Sequence, residues 1–346
     1  MTTTTSERTS RQQLLTAATA AVLQVMPIAR LLGSTLKAVP PIEKPDGSPV
    51  TAADYVVQAL VVAALRDRLP EGRVPLMGEE HADSLAACGR PDAERLVIDA
   101  IRSTLGWRDR AAALRAIDGD VLRAGEPFWT IDPIDGTKGF IVDAHFSVCL
   151  ARIEGSRATV GVLGCPRMGA AGDLSLRSDG PGAAYAAAEG CGAWEFVPGT
   201  DGPRAARAAR WDGGTIRWAR SLHRSATKIP SRTEPAVTAL APAVESFRMD
   251  SQCKYALVAR GDSDLVVRMP RGGGSSENIW DHASGAVIAA EAGAVVTDVC
   301  GRPLDFGCGE SLERNAGILC AAAGLHARAV EALAPIARGT ASQAEA

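Results

Sequence analysis

The chain has 346 residues, of which 46% are hydrophobic and 22% are charged, and its formal net charge is -3. This length exceeds what one hydrophobic core usually supports, so an ordinary globular composition predicts two domains or one two-lobed unit. The nearly balanced charge excludes a general attraction to nucleic acid or to an anionic membrane, so any anionic ligand must be met by local cations.

The N-terminal part is predicted to be a disordered tail followed by a long helix. Residues 1–10 are rich in Thr and lack the basic-then-apolar order of a signal peptide. Apolar residues recur at helical spacing across 11–33, which predicts an amphipathic helix that Pro27 should kink or interrupt. Gln24, Pro27 and Arg30 in this segment argue against a membrane span.

A turn-rich loop and a second helix come next. Turn-forming residues are dense over 44–49 and indicate an exposed loop. Thr51 is placed to cap a helix over 52–69, with Asp54 in its first turn. A short apolar strand is expected at 74–77, just before a Gly-Glu-Glu sequence.

The remaining pattern divides the chain into an N-terminal α+β domain and a C-terminal α/β domain. In the first, helices and loops are expected over 81–127, strands at 147–153 and 159–163, and a hairpin at 183–194. In the second, strands at 216–219, 246–249, 265–268 and 294–298 alternate with helices at 233–240, 252–260, 281–292 and from 325. The predicted units are a domain at 11–197, an irregular linker at 198–214, a domain at 215–337 and a loose tail at 338–346.

The stretch 128–140 carries the clearest chemical signal. Pro133 restricts Asp132 to an extended backbone, so Asp132 is expected to end a strand and Asp135 to lie in the following turn. Carboxylates at the end of a buried strand are unfavourable unless a cation or a hydrogen-bond network accepts them. Their oxygens suit a hard cation such as Mg²⁺. The alternative is a surface turn, because Asp-Gly is a common turn pair.

Other acidic residues could belong to the same site. Glu79 and Glu80 follow a predicted strand, although adjacent glutamates are most often solvated. Asp54 is most simply a first-turn residue that faces the helix dipole. Asp281 is expected to open a helix, either as its N-cap or as a metal ligand beside an anion. His282 lies on another face and is interpreted as structural.

The order of these motifs resembles the Mg²⁺-dependent, lithium-sensitive phosphatases of the inositol monophosphatase superfamily. Both signatures of that superfamily are present, at 129–140 and 280–285, and the resemblance extends over about 12–335. It implies an α/β architecture, the layered αβαβα sandwich of the inositol monophosphatase and fructose-1,6-bisphosphatase type, with metal ligands mostly in the N-terminal domain and substrate-binding residues in the C-terminal one.

The sequence is more similar to the 3′(2′),5′-bisphosphate nucleotidase branch of that superfamily. The similarity lies in Lys138-Gly139-Phe140, in Asp-Ser-Gln-Cys-Lys-Tyr at 250–255 and in Val-Arg-Met-Pro at 267–270. It implies hydrolysis of the 3′-phosphate of adenosine 3′,5′-bisphosphate to AMP and phosphate by a metal-activated water, with the sulfated analogue as a second substrate. The alternatives are a phosphatase for an inositol (poly)phosphate or a nucleoside monophosphate, and a non-catalytic nucleotide or metal sensor.

The resemblance also implies roles for individual residues. Two or three Mg²⁺ ions would be held by Glu79, Asp132, the Ile134 carbonyl, Asp135 and Asp281. The attacking water would be oriented and activated by Asp54 and Thr137. Glu80 would assist by supporting the metal ligands without binding the metal itself. Substrate would be bound by Gly136 and Thr137 at the reacting phosphate, by Ser251, Lys254 and Arg268 at the other phosphate, and by His223 at the base. Without the resemblance, Lys254 and Arg268 would be interpreted as solvated surface charges.

The cysteines and the overall charge bear on location and partners. The eight cysteines have none of the spacings of a zinc or redox motif, so we expect reduced thiols and a cytoplasmic protein. The expected partner is a small phosphorylated molecule, most simply a nucleotide. Neither a nucleic acid polymer nor a membrane is expected as a partner, and the protein should be a monomer or a homodimer.

Overall fold

The computed structural model describes residues 5–35, 42–43, 49–175, 180–221, 230–270 and 276–341. The helices in these ranges are α1 (Thr5–Thr35), α2 (Ala52–Arg66), α3 (Ala82–Ala87), α4 (Pro91–Leu105), α5 (Arg110–Asp118), α6 (Thr137–Ile141), α7 (Pro230–Thr238), α8 (Cys253–Arg260), α9 (Ala283–Glu291) and α10 (His326–Ala341). The strands are β1 (Ile42–Glu43), β2 (Pro49–Val50), β3 (Leu76–Gly78), β4 (Phe128–Asp135), β5 (Ser147–Glu154), β6 (Arg157–Cys165), β7 (Ala183–Ala188), β8 (Ala193–Phe196), β9 (Arg204–Ala205), β10 (Ile216–Arg220), β11 (Val244–Arg248), β12 (Leu265–Arg268), β13 (Val295–Thr297) and β14 (Ile318–Ala321).

Two large sheets organise the structure. The first has the order β3-β4-β5-β6-β7-β8-β9 and is antiparallel except for the parallel pair β3–β4. The second has the order β11-β10-β12-β14-β13, with parallel pairing of β10 to β11 and β12 and antiparallel pairing of β14 to its neighbours. Antiparallel strands can be joined by short turns, whereas parallel strands need crossover connections. These contain α3, α4 and α5 between β3 and β4, α7 between β10 and β11, and α8 before β12.

The helices and sheets stack in five layers. Helices α1 and α2 cover one face of the seven-stranded sheet, and α8 and α9 lie between the two sheets. Helices α7 and α10 cover the outer face of the five-stranded sheet. Each interface has its own apolar cluster, represented by Tyr55, Leu257 and Leu265 in turn. This is the predicted αβαβα sandwich.

Helix α1 is longer than predicted at both ends, and the alternative that Pro27 interrupts it is wrong, whereas a kink at Pro27 stays a prediction. It begins at Thr5, so the disordered tail predicted for residues 1–10 is wrong from residue 5 onward, and it continues through Pro27 without interruption. Its Glu7–Gly33 segment is long and apolar enough to cross a membrane, and 44% of the most apolar window is buried in the fold. Because α1 packs on β6 and β7, its apolar residues have a place in the protein core.

Other element boundaries also differ from their predictions. Strand β9 pairs with β8 inside the interval predicted as an irregular linker at 198–214, and α10 extends to Ala341 into the predicted loose tail. Strand β14 was not predicted, yet it pairs with both β12 and β13 in the middle of its sheet. The loop predicted at 44–49 lies mostly outside the described residues, and its last residue begins β2. The division at 198–214 into two domains stays a prediction.

Candidate active site

Strand β4 carries two of the predicted acids and continues beyond the point where it was expected to end. Asp132 pairs with Cys149 and Asp135 pairs with Ser147, with a shift of register between them. Pro133 lies inside this irregularity because it has no N–H to donate to the sheet. The prediction that Asp132 ends the strand and that Asp135 lies in a turn is therefore wrong. The extra residue bends the strand and lets both acids serve one site.

The carboxylates form a compact cluster. Asp132, Asp135 and Asp281 each offer an oxygen, and these oxygens lie within 4.8 Å of one another. Glu79 adjoins the cluster, and its carboxylate is one of the neighbours that raise the pKa of Asp132. The parallel pairing of β3 with β4 brings Glu79 to this place. The backbone N–H of Glu79 extends that pairing by donating to the Ile131 carbonyl at 3.1 Å. The structure thus gathers the four acids that the sequence predicted as metal ligands.

Burial and mutual repulsion shift the titration of these acids. Burial raises the pKa of Asp132 well above its usual range, and the neighbouring carboxylates of Glu79, Asp135 and Asp281 raise it further. Burial also raises the pKa of Asp135 to about 7, with a contribution from Asp281. Charged forms are unfavourable here because burial outweighs the opposing charges of Lys254 near Asp135 and of Arg268 near Asp281. Hard cations bound among these oxygens would supply the remaining countercharge, so the donor set fits Mg²⁺.

Asp281 lies just before helix α9 rather than in it. The helix begins at Ala283, and His282 occupies the N-cap position without a side-chain capping bond. The prediction that Asp281 opens this helix is wrong by two residues, which leaves its carboxylate to the acidic cluster. The Nδ1 atom of His282 lies 2.9 Å from the Tyr255 hydroxyl. His282, Glu277 and Asp281 also offer ligand atoms within 4.8 Å of one another, so the structural interpretation of His282 stays a prediction.

The predicted water-activating residues lie on neighbouring segments. The backbone N–H and the hydroxyl of Thr51 donate to one oxygen of Asp54, at 2.8 and 2.6 Å, so Thr51 and Asp54 cap α2 together as predicted. Helix α6, which begins at Thr137, packs beside β2, the strand that leads to Thr51. The Thr137 hydroxyl donates to the Ile134 carbonyl at 3.1 Å. A carbonyl oxygen has two lone pairs, so Ile134 keeps one for a metal ion.

Gly136 makes the tight turn between β4 and α6 possible. Its φ of 89° lies in the left-handed region that glycine adopts without strain. A Cβ at this position would also come within 3.0 Å of the Ser251 Cβ. The glycine therefore lets the acid-bearing turn pack directly against the segment that begins α8.

A buried glutamine holds the Gly-Glu-Glu segment. The Nε2 atom of Gln58 donates to the carbonyls of Glu80 and Ile117, at 2.6 and 2.7 Å, and its Oε1 accepts from the Glu80 N–H at 3.3 Å. Both Gln58 and Glu80 are buried. Sequence reasoning missed Gln58, although its position one helical turn after Asp54 places it on the same face of α2.

A cavity of about 70 Å³ adjoins the acids and is also lined by cations. Asp135 and Asp281 lie on its wall together with Ser251, Lys254 and Arg268, so the structure brings both predicted groups to one place. Lys254 and Arg268 are partly buried, and the alternative of solvated surface charge is therefore wrong. Burial lowers the pKa of Lys254, which the neighbouring acids oppose.

The segments that hold these cations have distinct geometry. Ser251 is buried and has a positive φ of 65°, which is uncommon for a residue with a side chain. The Lys254 ammonium donates to the Ser251 carbonyl at 2.6 Å and to the Met249 carbonyl at 3.4 Å. His223, predicted to contact a base, lies outside the described residues, which stop at Ser221 on the rim of the cavity.

Comparison with known proteins agrees with this fold. The chain belongs to the inositol monophosphatase family, which matches residues 6–338. Within that family it is 32% identical over 308 residues to the 3′(2′),5′-bisphosphate nucleotidase of Schizosaccharomyces pombe, covering 85% of this chain and 86% of that protein. It is 33% identical over 306 residues to the enzyme of the same name from Emericella nidulans, covering 81% and 86%.

Solved structures share the fold at lower identity. The suhB protein of Bartonella henselae superposes with a TM-score of 0.60 at 17% identity, covering 92% of this chain and 98% of that one. CysQ from Bacteroides thetaiotaomicron, a bacterial member of the family, gives a TM-score of 0.54 at 23% identity, covering 89% and 96%. These likenesses confirm the layered architecture.

Proposed function

We propose that the protein is a Mg²⁺-dependent phosphomonoesterase that removes the 3′-phosphate of adenosine 3′,5′-bisphosphate, with the sulfated analogue as a second substrate. The observation that carries this proposal is a cavity whose wall carries carboxylates together with a hydroxyl, an ammonium and a guanidinium. A substrate with two phosphates needs one group at the reaction centre and one at a separate anion site, and the cavity offers both.

The acidic side is the proposed reaction centre. Two or three Mg²⁺ ions would be held by Glu79, Asp132, the Ile134 carbonyl, Asp135 and Asp281. The buried, mutually repelling carboxylates with raised pKa values support this assignment, because such a cluster gains free energy when dications neutralise it. When bound, the ions would lower the pKa of a coordinated water and offset the negative charge that develops on the leaving oxygen.

The chain's own residues would align the nucleophile. In the reaction a water oxygen bonds to phosphorus, the bond from phosphorus to the 3′ oxygen breaks, and that oxygen takes up a proton. The Thr137 hydroxyl donates a hydrogen bond to the Ile134 carbonyl, so its oxygen can accept a hydrogen bond from the attacking water. Asp54, fixed by Thr51, is the proposed partner of Thr137 in removing a proton from that water.

The cationic side is the proposed site for the 5′-phosphate. An ammonium has three N–H donors, and Lys254 directs two of them to the Ser251 and Met249 carbonyls, which leaves one for an anion. Arg268 can add a charge-assisted bond from its planar fork, which suits phosphate oxygens. The name of the relatives that are 30% or more identical, 3′(2′),5′-bisphosphate nucleotidase, describes a substrate with this pair of phosphates.

A phosphate-release panel tests the proposal. The purified protein is incubated with Mg²⁺ and adenosine 3′,5′-bisphosphate, 5′-AMP, inositol 1-phosphate or inositol 1,4-bisphosphate, each with and without Li⁺. We expect the bisphosphorylated nucleotide to have the highest kcat/KM, 5′-AMP to be inert because it lacks a 3′-phosphate, and Li⁺ to inhibit. Faster turnover of either inositol phosphate would overturn the nucleotide assignment in favour of an inositol phosphatase. If none of the four compounds is hydrolysed, a non-catalytic sensor is favoured.

Location and assembly complete the proposal. All eight cysteines have free thiols, which supports a reducing compartment and hence a cytoplasmic enzyme. The proposed substrate is a small diffusible nucleotide, so neither a polymer nor a membrane is needed as a partner. The proposed assembly is a monomer or a homodimer.

A further inference from the structure

We propose that Gln252 is a positioning residue that sets the separation of Asp135 and Asp281. These two acids come from distant parts of the chain, one from the end of β4 and the other from the segment before α9. A metal ion held between them needs their oxygens at a defined spacing. The inference rests on the proposed function only in assuming that the cluster binds divalent cations.

The backbone of Gln252 is bonded to Asp135. Its N–H donates a hydrogen bond to the Oδ2 atom of that carboxylate. This direction of the N–H follows from the left-handed backbone of Ser251, whose φ is 65°, and from the contact that Gly136 permits between the two segments. The position of Asp135 is thereby tied to the first residues of the α8 segment.

The side chain of Gln252 is bonded to the segment around Asp281. The amide nitrogen donates to the Trp280 carbonyl at 2.7 Å. The amide oxygen accepts from the Ser284 hydroxyl at 2.8 Å and from the Gly285 N–H at 2.9 Å. These bonds hold the residue immediately before Asp281 and the first turn of α9 after it, and Gln252 is only 2% exposed.

Close packing makes this connection stiff. A Cβ on Gly285 would overlap the Tyr255 ring, so the absence of a side chain allows α8 and α9 to approach closely at this level. A buried amide with satisfied donors and acceptors in a packed interface has one favourable orientation. Gln252 therefore transmits the position of one acid to the other, whereas a residue that only stabilised helix packing would have no reason to contact both.

The experiment measures cation affinity without substrate. Gln252→Met keeps a similar volume and removes the amide, and Mn²⁺ binding to the full-length variant is followed by calorimetry and electron paramagnetic resonance. We expect the affinity to fall by about tenfold or more, as for other residues that orient metal ligands. In an Asp281→Asn background the same substitution should change affinity by less than about twofold, because the acid that Gln252 positions is already lost.

A matched control separates positioning from general destabilisation. Tyr185→Phe removes a buried hydrogen bond of 2.6 Å to Glu195 at another place in the fold, so it should lower the free energy of unfolding and leave Mn²⁺ affinity unchanged. If Gln252→Met does not fold, Gln252→Asn is titrated in its place, because its shorter side chain cannot reach both partners. For Gln252→Asn we expect the same loss of Mn²⁺ affinity as for Gln252→Met.

The outcomes distinguish this inference from the proposed function. Wild-type Mn²⁺ affinity in the folded variant, or an undiminished effect in the Asp281→Asn background, would overturn the role of Gln252. Wild-type protein that binds Mn²⁺ but releases no phosphate from adenosine 3′,5′-bisphosphate would overturn the proposed substrate and leave the role of Gln252 standing. Wild-type protein that binds no Mn²⁺ would overturn both.

Discussion

The Nε atom of Arg268 lies 2.6 Å from a carboxylate oxygen of Glu277. Glu277 is buried, and the Nε2 atom of His282 lies 3.5 Å from the same oxygen. The guanidinium of Arg268, which is proposed to bind a phosphate, is thus held through its Nε atom by the carboxylate of Glu277. Because the contact uses Nε, the two terminal nitrogens, which carry four of the five N–H donors, can face an anion. Glu277 orients the cation and offsets part of the free energy of burying it.

This arrangement predicts a substrate-selective effect of Arg268→Ala. For adenosine 3′,5′-bisphosphate we expect KM to rise by about 10- to 100-fold, because one or two charge-assisted hydrogen bonds to the 5′-phosphate are lost. For adenosine 3′-monophosphate, which has the reacting phosphate alone, KM should change little. Steady-state phosphate release with both substrates measures the difference.

The control is Arg314→Ala, which removes a mostly exposed arginine paired with Asp305 and should leave both KM values unchanged. An equal rise in KM for the two nucleotides on replacing Arg268 would remove the second-phosphate assignment.

Asp135 is predicted to be indispensable for turnover. Its carboxylate is part of the acidic cluster and also accepts the N–H of Gln252, so Asp135→Ala removes a proposed metal ligand and a link to α8. We expect Mg²⁺-dependent phosphate release to fall by more than about 100-fold, beyond the usual effect of losing a residue that only orients a ligand. Circular dichroism should show the wild-type fold. Turnover near the wild-type rate would sink the metal assignment.

The raised pKa of Asp135 predicts how the stability of the metal-free protein depends on pH. This carboxyl titrates near 3.8 in an unfolded chain and at about 7 in the fold. Between these values the folded state binds the extra proton, so the free energy of unfolding falls as pH rises, by up to about 1.4 kcal/mol per pH unit. Burial shifts Asp132 and Asp281 in the same direction.

Urea unfolding in EDTA, from about pH 5 to about pH 8, measures this dependence against Asp135→Asn, which cannot titrate. The stability of the variant relative to wild type should increase as pH rises through the window, and Mg²⁺ should stabilise wild type most at the alkaline end. A difference that does not vary with pH would mean that Asp135 keeps its ordinary pKa.

The acidic residues of the site could be predicted from sequence motifs, whereas the residues that hold those acids in place could not. Pro133 and the spacing of Asp132 and Asp135 mark a site within a few residues, and the resemblance supplied Glu79 and Asp281. Gln58 and Gln252 act through carbonyls and N–H groups of remote segments, which only the tertiary structure brings within reach. Such bonds leave no periodic pattern in the sequence.

The fold class was predicted correctly, and the individual strands that were missed or misplaced have related causes. The run Ile318–Ala321 is short and apolar, and such a run does not distinguish a central strand from other core segments. Strand β9 has only two residues and is defined by its pairing with β8. The strand end placed at Asp132 ignored that a bulge can accommodate a proline and let pairing resume. The alternating helices and strands were predicted because their periodicity is local.

The contact between Gly78 and Gln58 gives the last prediction. A Cβ on Gly78 would lie 2.9 Å from the Gln58 Nε2 atom, so Gly78→Ala must displace either the amide or the strand that leads to Glu79. Displacing the amide leaves the buried Glu80 and Ile117 carbonyls without their donor, at about 1–3 kcal/mol each. We therefore expect a lower urea midpoint together with weaker Mg²⁺ activation. Gly155→Ala is the control. It places an alanine at a positive φ with no atom within 4 Å of its Cβ, so it should lower the urea midpoint and leave Mg²⁺ activation unchanged. Unchanged Mg²⁺ activation in Gly78→Ala would show that Gln58 does not position Glu79 and Glu80.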